Sequence, residues 1–160
     1  MILKRMKRRH SRDQALRFCE TVRGLRPGIA LGADLIAGFP TETDAQFENT
    51  LAMVEAADLA HLHVFPYSPR TGTPAARMPQ VAPEVRKSRA AALRAAGEAA
   101  LARHLTSRVG RTEAVLMETD ATGRTETFAS ARLASYQAPG SIVAARVTGI
   151  DGAHLIAEAA

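Results

Sequence analysis

The chain has 160 residues, 46% of them hydrophobic and 23% charged. That is enough for one ordinary core or for a modest domain with a small module attached, and too little for a complete α/β barrel of about 250 residues. Charged side chains interrupt every apolar run before the ~20 residues of a membrane span, and no tract is dominated by Pro, Gly or a single residue type.

The net charge of +5 is unevenly spread, with 17 Lys and Arg against 10 Asp and Glu over residues 1–109 and 4 against 6 over residues 110–160. Six of the nine residues from Lys4 to Arg12 are basic. That density favours a polyanion such as RNA, the plainer alternative being a solvated basic loop. No apolar core follows this basic start, so it is no secretory signal, and the cytoplasm is the expected compartment. The single cysteine, Cys19, excludes a disulfide framework and any cluster held by this chain's thiolates alone.

Ser11 and Gln14 form a capping-box pair, and the apolar series Ala15, Phe18, Cys19, Val22 predicts a helix over Arg12–Arg23. Ile29–Ala37 is an apolar run of strand length broken only by Asp34, as expected for a strand covered on both faces, where a carboxylate would need a partner. A polar loop follows, Gly38-Phe39-Pro40-Thr41-Glu42-Thr43. Thr43 with Gln46 repeats the capping box and opens a second helix carrying Phe47, Leu51 and Val54. His61–Tyr67 reads as the next strand, making a βαβ crossover with one helix in front. Ser68–Pro83 is a long surface loop rich in Pro, Gly, Thr and Arg. Glu84 to about Ser107 is an Ala- and Arg-rich helix. After Gly110, the short runs Thr112–Thr119, Thr125–Ser135, Ser141–Gly149 and His154–Ala157, separated by Asp-Ala-Thr-Gly, Ala-Pro-Gly and Asp-Gly turns, predict a small antiparallel barrel. The fold class is therefore α/β followed by a small β-barrel, with domains at 1–107 and 108–160.

Walker loops, dinucleotide fingerprints and nucleophile triads are absent. His61 and His63 alternate on one strand, but with no third ligand nearby they read as packing or surface residues rather than a metal site. The loop at Gly38 lies at the C-terminal end of a parallel strand, where α/β barrels place their sites.

Three segments taken together say more: Met6-Lys7-Arg8-Arg9-His10, Asp34 to Thr43, and His63-Val64-Phe65-Pro66-Tyr67-Ser68-Pro69-Arg70-Thr71-Gly72-Thr73-Pro74-Ala75-Ala76. In this order and spacing they resemble the radical-SAM methylthiotransferases, strongly over residues 1–107 and weakly over 108–160. That family joins an iron–sulfur N-terminal domain, a radical-SAM barrel and a small RNA-binding barrel called TRAM. The segment from His63 and the run Arg8-Arg9-His10 are most similar to the branch acting on N6-threonylcarbamoyladenosine beside the tRNA anticodon.

The resemblance implies a fragment of a tRNA-modifying enzyme that uses S-adenosylmethionine and two 4Fe-4S clusters, with the N-terminal portion of the parent missing. It implies that Ile36, Gly38, Phe39, Phe65, Pro66 and Tyr67 belong to the adenine pocket, that Arg8 and Arg70 lie near cofactor or substrate, and that the partner is a tRNA anticodon stem-loop, for which the charge of the Lys4–Arg12 segment makes Lys7, Arg8 and Arg9 the contact candidates together with Arg70. It supplies no cluster ligands here, because the family's Cys-x-x-x-Cys-x-x-Cys loop has no counterpart. The fragment alone is therefore expected to be inactive, the rival reading being a non-enzymatic RNA-binding module. An incomplete sheet would also leave apolar residues uncovered, and Leu31, Leu35, Val64 and Phe65 are the expected ones, with self-association as the consequence.

Overall fold

The computed structural model describes residues 2–160, which form two compact units, one ending at Ala100 and the other spanning Leu101–Ala160. In the first unit the elements are α1 (Ile2–Arg5), α2 (Arg12–Leu25), β1 (Leu31–Ala37), α3 (Asp44–Ala56), β2 (Leu59–Pro66) and most of α4 (Pro83–Arg108). Both capping boxes form. The Ser11 amide donates to Gln14 Oε1 at 2.7 Å and the Gln14 amide to Ser11 Oγ at 3.2 Å. Thr43 and Gln46 make the same reciprocal pair at 3.0 and 3.3 Å. Two orphan amides at each helix start are thereby satisfied, which fixes where α2 and α3 begin. The C-terminal end of α3 has no basic residue of its own, and Arg23 of α2 supplies the cation by donating to the Ala57 carbonyl.

β1 and β2 pair in parallel with Asp34 beside His63, Leu35 beside Val64 and Ile36 beside Phe65. A complete radical-SAM barrel is not present among the described residues; the sheet of this unit has two strands. One face of it carries the core. Ala37, Leu35, Leu62 and Val64 pack with Phe47 and Val54 of α3 and with Ala90 and Leu93 of α4. Leu31 and Ala33 join Cys19, Ala57 and Leu59 in an adjoining cluster. Gly97 lets α4 approach β2, since a Cβ there would come within 3.0 Å of the Leu62 side chain.

Two expectations need correction. β1 is not covered on both faces: Gly32, Asp34 and Ile36 are exposed while their neighbours turn inward, so Asp34 meets solvent and needs no buried partner. Nor are Leu31, Leu35 and Val64 left exposed, because helices cover the face they share. The uncovered apolar pair is Phe65, 52% exposed, with Ile36 at 36%.

The second unit is a closed five-stranded barrel in the order β3-β4-β5-β7-β6, built from β3 (Thr112–Met117), β4 (Thr122–Thr125), β5 (Ser130–Leu133), β6 (Ile142–Asp151) and β7 (His154–Ala159). Four ladders are antiparallel as expected, but β5 and β7 pair in parallel. The run Thr125–Ser135 is not one strand, since a turn at 126–129 divides β4 from β5. The Asp-Ala-Thr-Gly segment is not merely a turn either, because Thr122 and Gly123 already belong to β4. The inward rungs are Val115, Met117, Ala131, Leu133, Ala145, Val147, Leu155 and Ala157, with Leu105 from the last turns of α4 in the same core. Small and large residues alternate as the tapering interior of a narrow barrel requires. Glu113 is buried and paired with Arg108 at 2.8 Å.

Candidate ligand and RNA-contact site

The loop after β1 turns on two left-handed residues, Gly38 at φ +72° and Thr41 at φ +67°. Only glycine fits the first position, because a Cβ would lie 2.4 Å from Arg86 Cγ. Glu42 then folds back, and its Oε2 accepts the Gly38 amide at 2.9 Å. Arg89 of α4 holds that carboxylate: its Nη1 donates to Glu42 Oε2 at 2.8 Å and to the Glu42 carbonyl at 3.1 Å, and its Nη2 donates to Asp44 Oδ1 at 2.5 Å. The Arg89 and Glu42 side chains are 7% and 4% exposed, so this is a buried pair with its polar atoms satisfied. The Arg89 guanidinium also lies over the Phe47 ring, 5.4 Å from its centroid.

β2 ends against the same loop. The Tyr67 amide donates to the Ala37 carbonyl at 2.8 Å, its carbonyl accepts from Arg86 Nη1 at 2.9 Å, and its ring meets Phe39 edge-on at 5.3 Å. The following loop returns through the Thr41 amide, which donates to the Pro79 carbonyl at 3.1 Å. The two strand ends are thus locked into one platform by two arginines of one helix.

The six residues expected around an adenine fall into two groups. Ile36, Phe65 and Pro66 are exposed, and the first two sit side by side on the open face of the sheet. Gly38 and Phe39 are buried and Tyr67 is half-buried, and these three shape the wall behind that surface. An apolar strip bounded by a rigid turn suits a flat heteroaromatic ring. Cluster ligation is a different matter. Cys19 is buried in an apolar cluster with Ala57 and Leu59, and no group of three or more His, Cys, Asp or Glu able to hold a metal occurs among the described residues. These residues do not fit an iron–sulfur cluster.

Lys7, Arg8 and Arg9 are exposed in a turn that Lys7 makes at φ +56°, and the Arg8 amide donates to the Leu3 carbonyl at 2.8 Å. Arg5 of α1 donates to Thr41 Oγ1, which brings the basic segment to the rim of the Gly38–Glu42 loop. Arg70 is exposed in the loop beyond β2. A cleft of about 420 Å³ opens between that loop and α4, with Tyr67, Ser68, Arg86, Lys87 and Arg94 in its lining and no carboxylate among them. Sequence reasoning missed Glu42, Arg86 and Arg89. No local signal marks the two arginines, because α4 also carries Lys87, Arg94, Arg103 and Arg108.

A βαβ unit with an apolar platform at its strand ends and a basic segment at the rim of its Gly38 turn is followed in the chain by a small closed barrel. By sequence the chain belongs to the radical-SAM tRNA methylthiotransferase family. It is 47% identical over 155 residues, 97% of its length, to the threonylcarbamoyladenosine tRNA methylthiotransferase MtaB of Rickettsia prowazekii. To tRNA-2-methylthio-N(6)-dimethylallyladenosine synthases it is 46% identical over 73% of its length in Erythrobacter litoralis and 39% identical over 99% in Agrobacterium fabrum. The chain spans 37%, 26% and 37% of these three relatives. A search of family models found no match. No helix among the described residues is long and apolar enough to cross a membrane.

Proposed function

We propose that the chain is part of a cytoplasmic enzyme that adds a 2-methylthio group to N6-threonylcarbamoyladenosine at position 37 of tRNA, in the anticodon stem-loop. The observation that carries this is the 47% identity over nearly the whole chain to a methylthiotransferase of that named substrate, against 39% over a comparable stretch for a dimethylallyladenosine synthase. We read residues 1–107 as the last part of the radical-SAM barrel and residues 108–160 as a TRAM-like barrel.

In the parent, S-adenosylmethionine and two 4Fe-4S clusters would supply the radical and sulfur chemistry, with the cluster ligands outside this chain. What these residues contribute is binding and order. Ile36 and Phe65 offer the apolar surface for the cofactor's adenine, with Pro66 at its edge. Gly38, Phe39 and Tyr67 hold the surface's shape, and the Glu42–Arg89 pair keeps the Gly38 turn from relaxing. Lys7, Arg8 and Arg9, tethered through Arg5, meet the phosphates of the RNA, with Arg70 on the neighbouring loop.

The test is mass spectrometry of tRNA nucleosides from cells in which the gene encoding this chain is disrupted. Loss of the 2-methylthio group from threonylcarbamoyladenosine, with the dimethylallyladenosine derivative unchanged, is the expected result. Loss of the latter alone would reassign the substrate. A companion measurement uses the 160-residue chain itself. Reconstituted anaerobically with iron and sulfide it should form no 5′-deoxyadenosine, and any stoichiometric production would overturn the assignment of the cluster to the rest of the parent.

A further inference from the structure

The turn joining β4 to β5 displays an aromatic ring at the surface. Phe128 is 66% exposed and has φ +65°, in the left-handed region that bulky side chains seldom enter. An isolated exposed Phe is ordinary, and exposure alone would carry nothing. The way this turn is held is what sets it apart.

The Phe128 amide donates to the Thr125 carbonyl at 2.9 Å, and the Thr125 amide donates to the Ala129 carbonyl at 2.9 Å. The Ala129 amide donates to Thr125 Oγ1 at 3.2 Å, Thr125 Oγ1 shares a hydrogen bond with Thr127 Oγ1 at 3.0 Å, and Thr127 Oγ1 meets His104 Nε2 at 3.2 Å. Thr125, Thr127 and Ala129 are buried, so the residues flanking Phe128 anchor inward and the ring is turned outward. Strained backbone kept in place by an over-determined surround is the pattern found at ligand sites.

A guanidinium accompanies the ring. Arg124 lies 4.7 Å from the Phe128 centroid, its Nη1 donates to the Phe128 carbonyl at 3.3 Å, and its Nε donates to Glu118 Oε1 at 3.3 Å. In the β3–β4 and β3–β6 registers Arg124 neighbours Leu116, which neighbours Ile142, and these side chains are 48% and 73% exposed. A planar aromatic and a planar cation, fixed together and fringed by apolar surface, make a stacking surface for an unpaired base, which every nucleobase can use through its π-face. Residues 110–160 carry 4 basic against 6 acidic side chains, which argues against an electrostatic grip on phosphates and leaves stacking as what this barrel offers RNA.

We propose that Phe128, with Arg124 beside it, is a stacking site for one unpaired nucleobase of the RNA substrate. The inference rests on the reading of the chain as part of a tRNA-modifying enzyme. It adds a contact of low salt dependence to the salt-sensitive one at Lys7, Arg8 and Arg9.

The test uses the intact chain and an anticodon stem-loop RNA with 2-aminopurine substituted in turn at each unpaired loop position. Wild type should quench the fluorophore at one position. F128G removes the ring and also the left-handed strain, so its barrel should unfold as cooperatively as wild type. It should nevertheless lose the quench, bind about fivefold to a hundredfold more weakly, and keep the same slope of affinity against salt. F128W should restore the quench. The triple variant K7A/R8A/R9A should flatten the salt slope and retain the quench. If F128G binds and quenches like wild type while the triple variant weakens binding, the stacking site is wrong and the RNA reading stands. If wild type binds no RNA at either low or moderate salt, the RNA reading falls and the stacking site with it.

Discussion

Removing Arg89 should unlock the Gly38 turn. In Arg89→Met the stem is replaced by an apolar chain of similar length, while the buried Glu42 carboxylate, 4% exposed, is left with the Gly38 amide as its donor. Stripping one member from a buried, hydrogen-bonded pair costs about 3–5 kcal/mol, because the remaining charge is left desolvated. Asp44 is 95% exposed, so its share of the guanidinium is worth no more than about 1 kcal/mol, and Asp44→Ala should be mild. Removing both buried charges in Arg89→Met/Glu42→Met should recover part of the loss, since no orphan charge remains. Urea unfolding followed by helical circular dichroism reads the first unit, which holds α2, α3 and most of α4. A loss below about 1 kcal/mol in Arg89→Met, or a double variant worse than the sum of the singles, would refute a buried pair that locks the turn.

Gly38→Ala should destabilise the first unit by several kcal/mol, at the level of about 1–3 for left-handed strain plus the collision with Arg86 Cγ at 2.4 Å, and should leave the barrel's unfolding unchanged. Gly123→Ala should do the reverse, because its Cβ would sit 2.3 Å from the Leu116 carbonyl oxygen across the β3–β4 ladder; equal effects of the two variants on both signals would refute the assignment of each collision to its own unit. Ile36→Ser/Phe65→Ser should reduce self-association and hydrophobic-dye binding measured by sedimentation and fluorescence, whereas Leu35→Ser should unfold the first unit instead. Dye binding that persists in the double variant would locate the exposed apolar surface elsewhere.

The elements that could be read from sequence were those whose cause is local. A capping box is complete within four residues, and both were correctly placed because nothing distant competes for Ser11 or Thr43. What failed depended on neighbours. Asp34 looked buried because the run around it is apolar, yet which face of a strand is covered is decided by how many strands and helices lie beside it. β4 was hidden by Gly123, which resembles a turn residue but is glycine because β3 passes too close for a side chain. Arg89 read as one more surface cation on a helix rich in them, and only the packing of α4 on the Gly38 turn gives it a role. At Phe128 the difficulty is the opposite. Its φ is a property of the turn and leaves no mark in composition.

The two units treat their sheet edges differently, and the difference bears on function. The barrel closes on itself through β3 and β6, so its ladders are complete without a partner. The β1–β2 pair has two edges and one uncovered face, and that face is not written as a simple packing surface. Its rungs alternate in chemistry, with exposed Asp34 beside His63 and then exposed Ile36 beside Phe65. Covering it with apolar side chains alone would satisfy the second rung and strand the ionisable groups of the first, at a cost that unpaired buried charges always carry. A ligand on this face would meet polar groups at one rung and apolar surface at the next. A nucleoside suits both within its own length. That alternation supports the proposed reading of the ends of β1 and β2 as one wall of a ligand site.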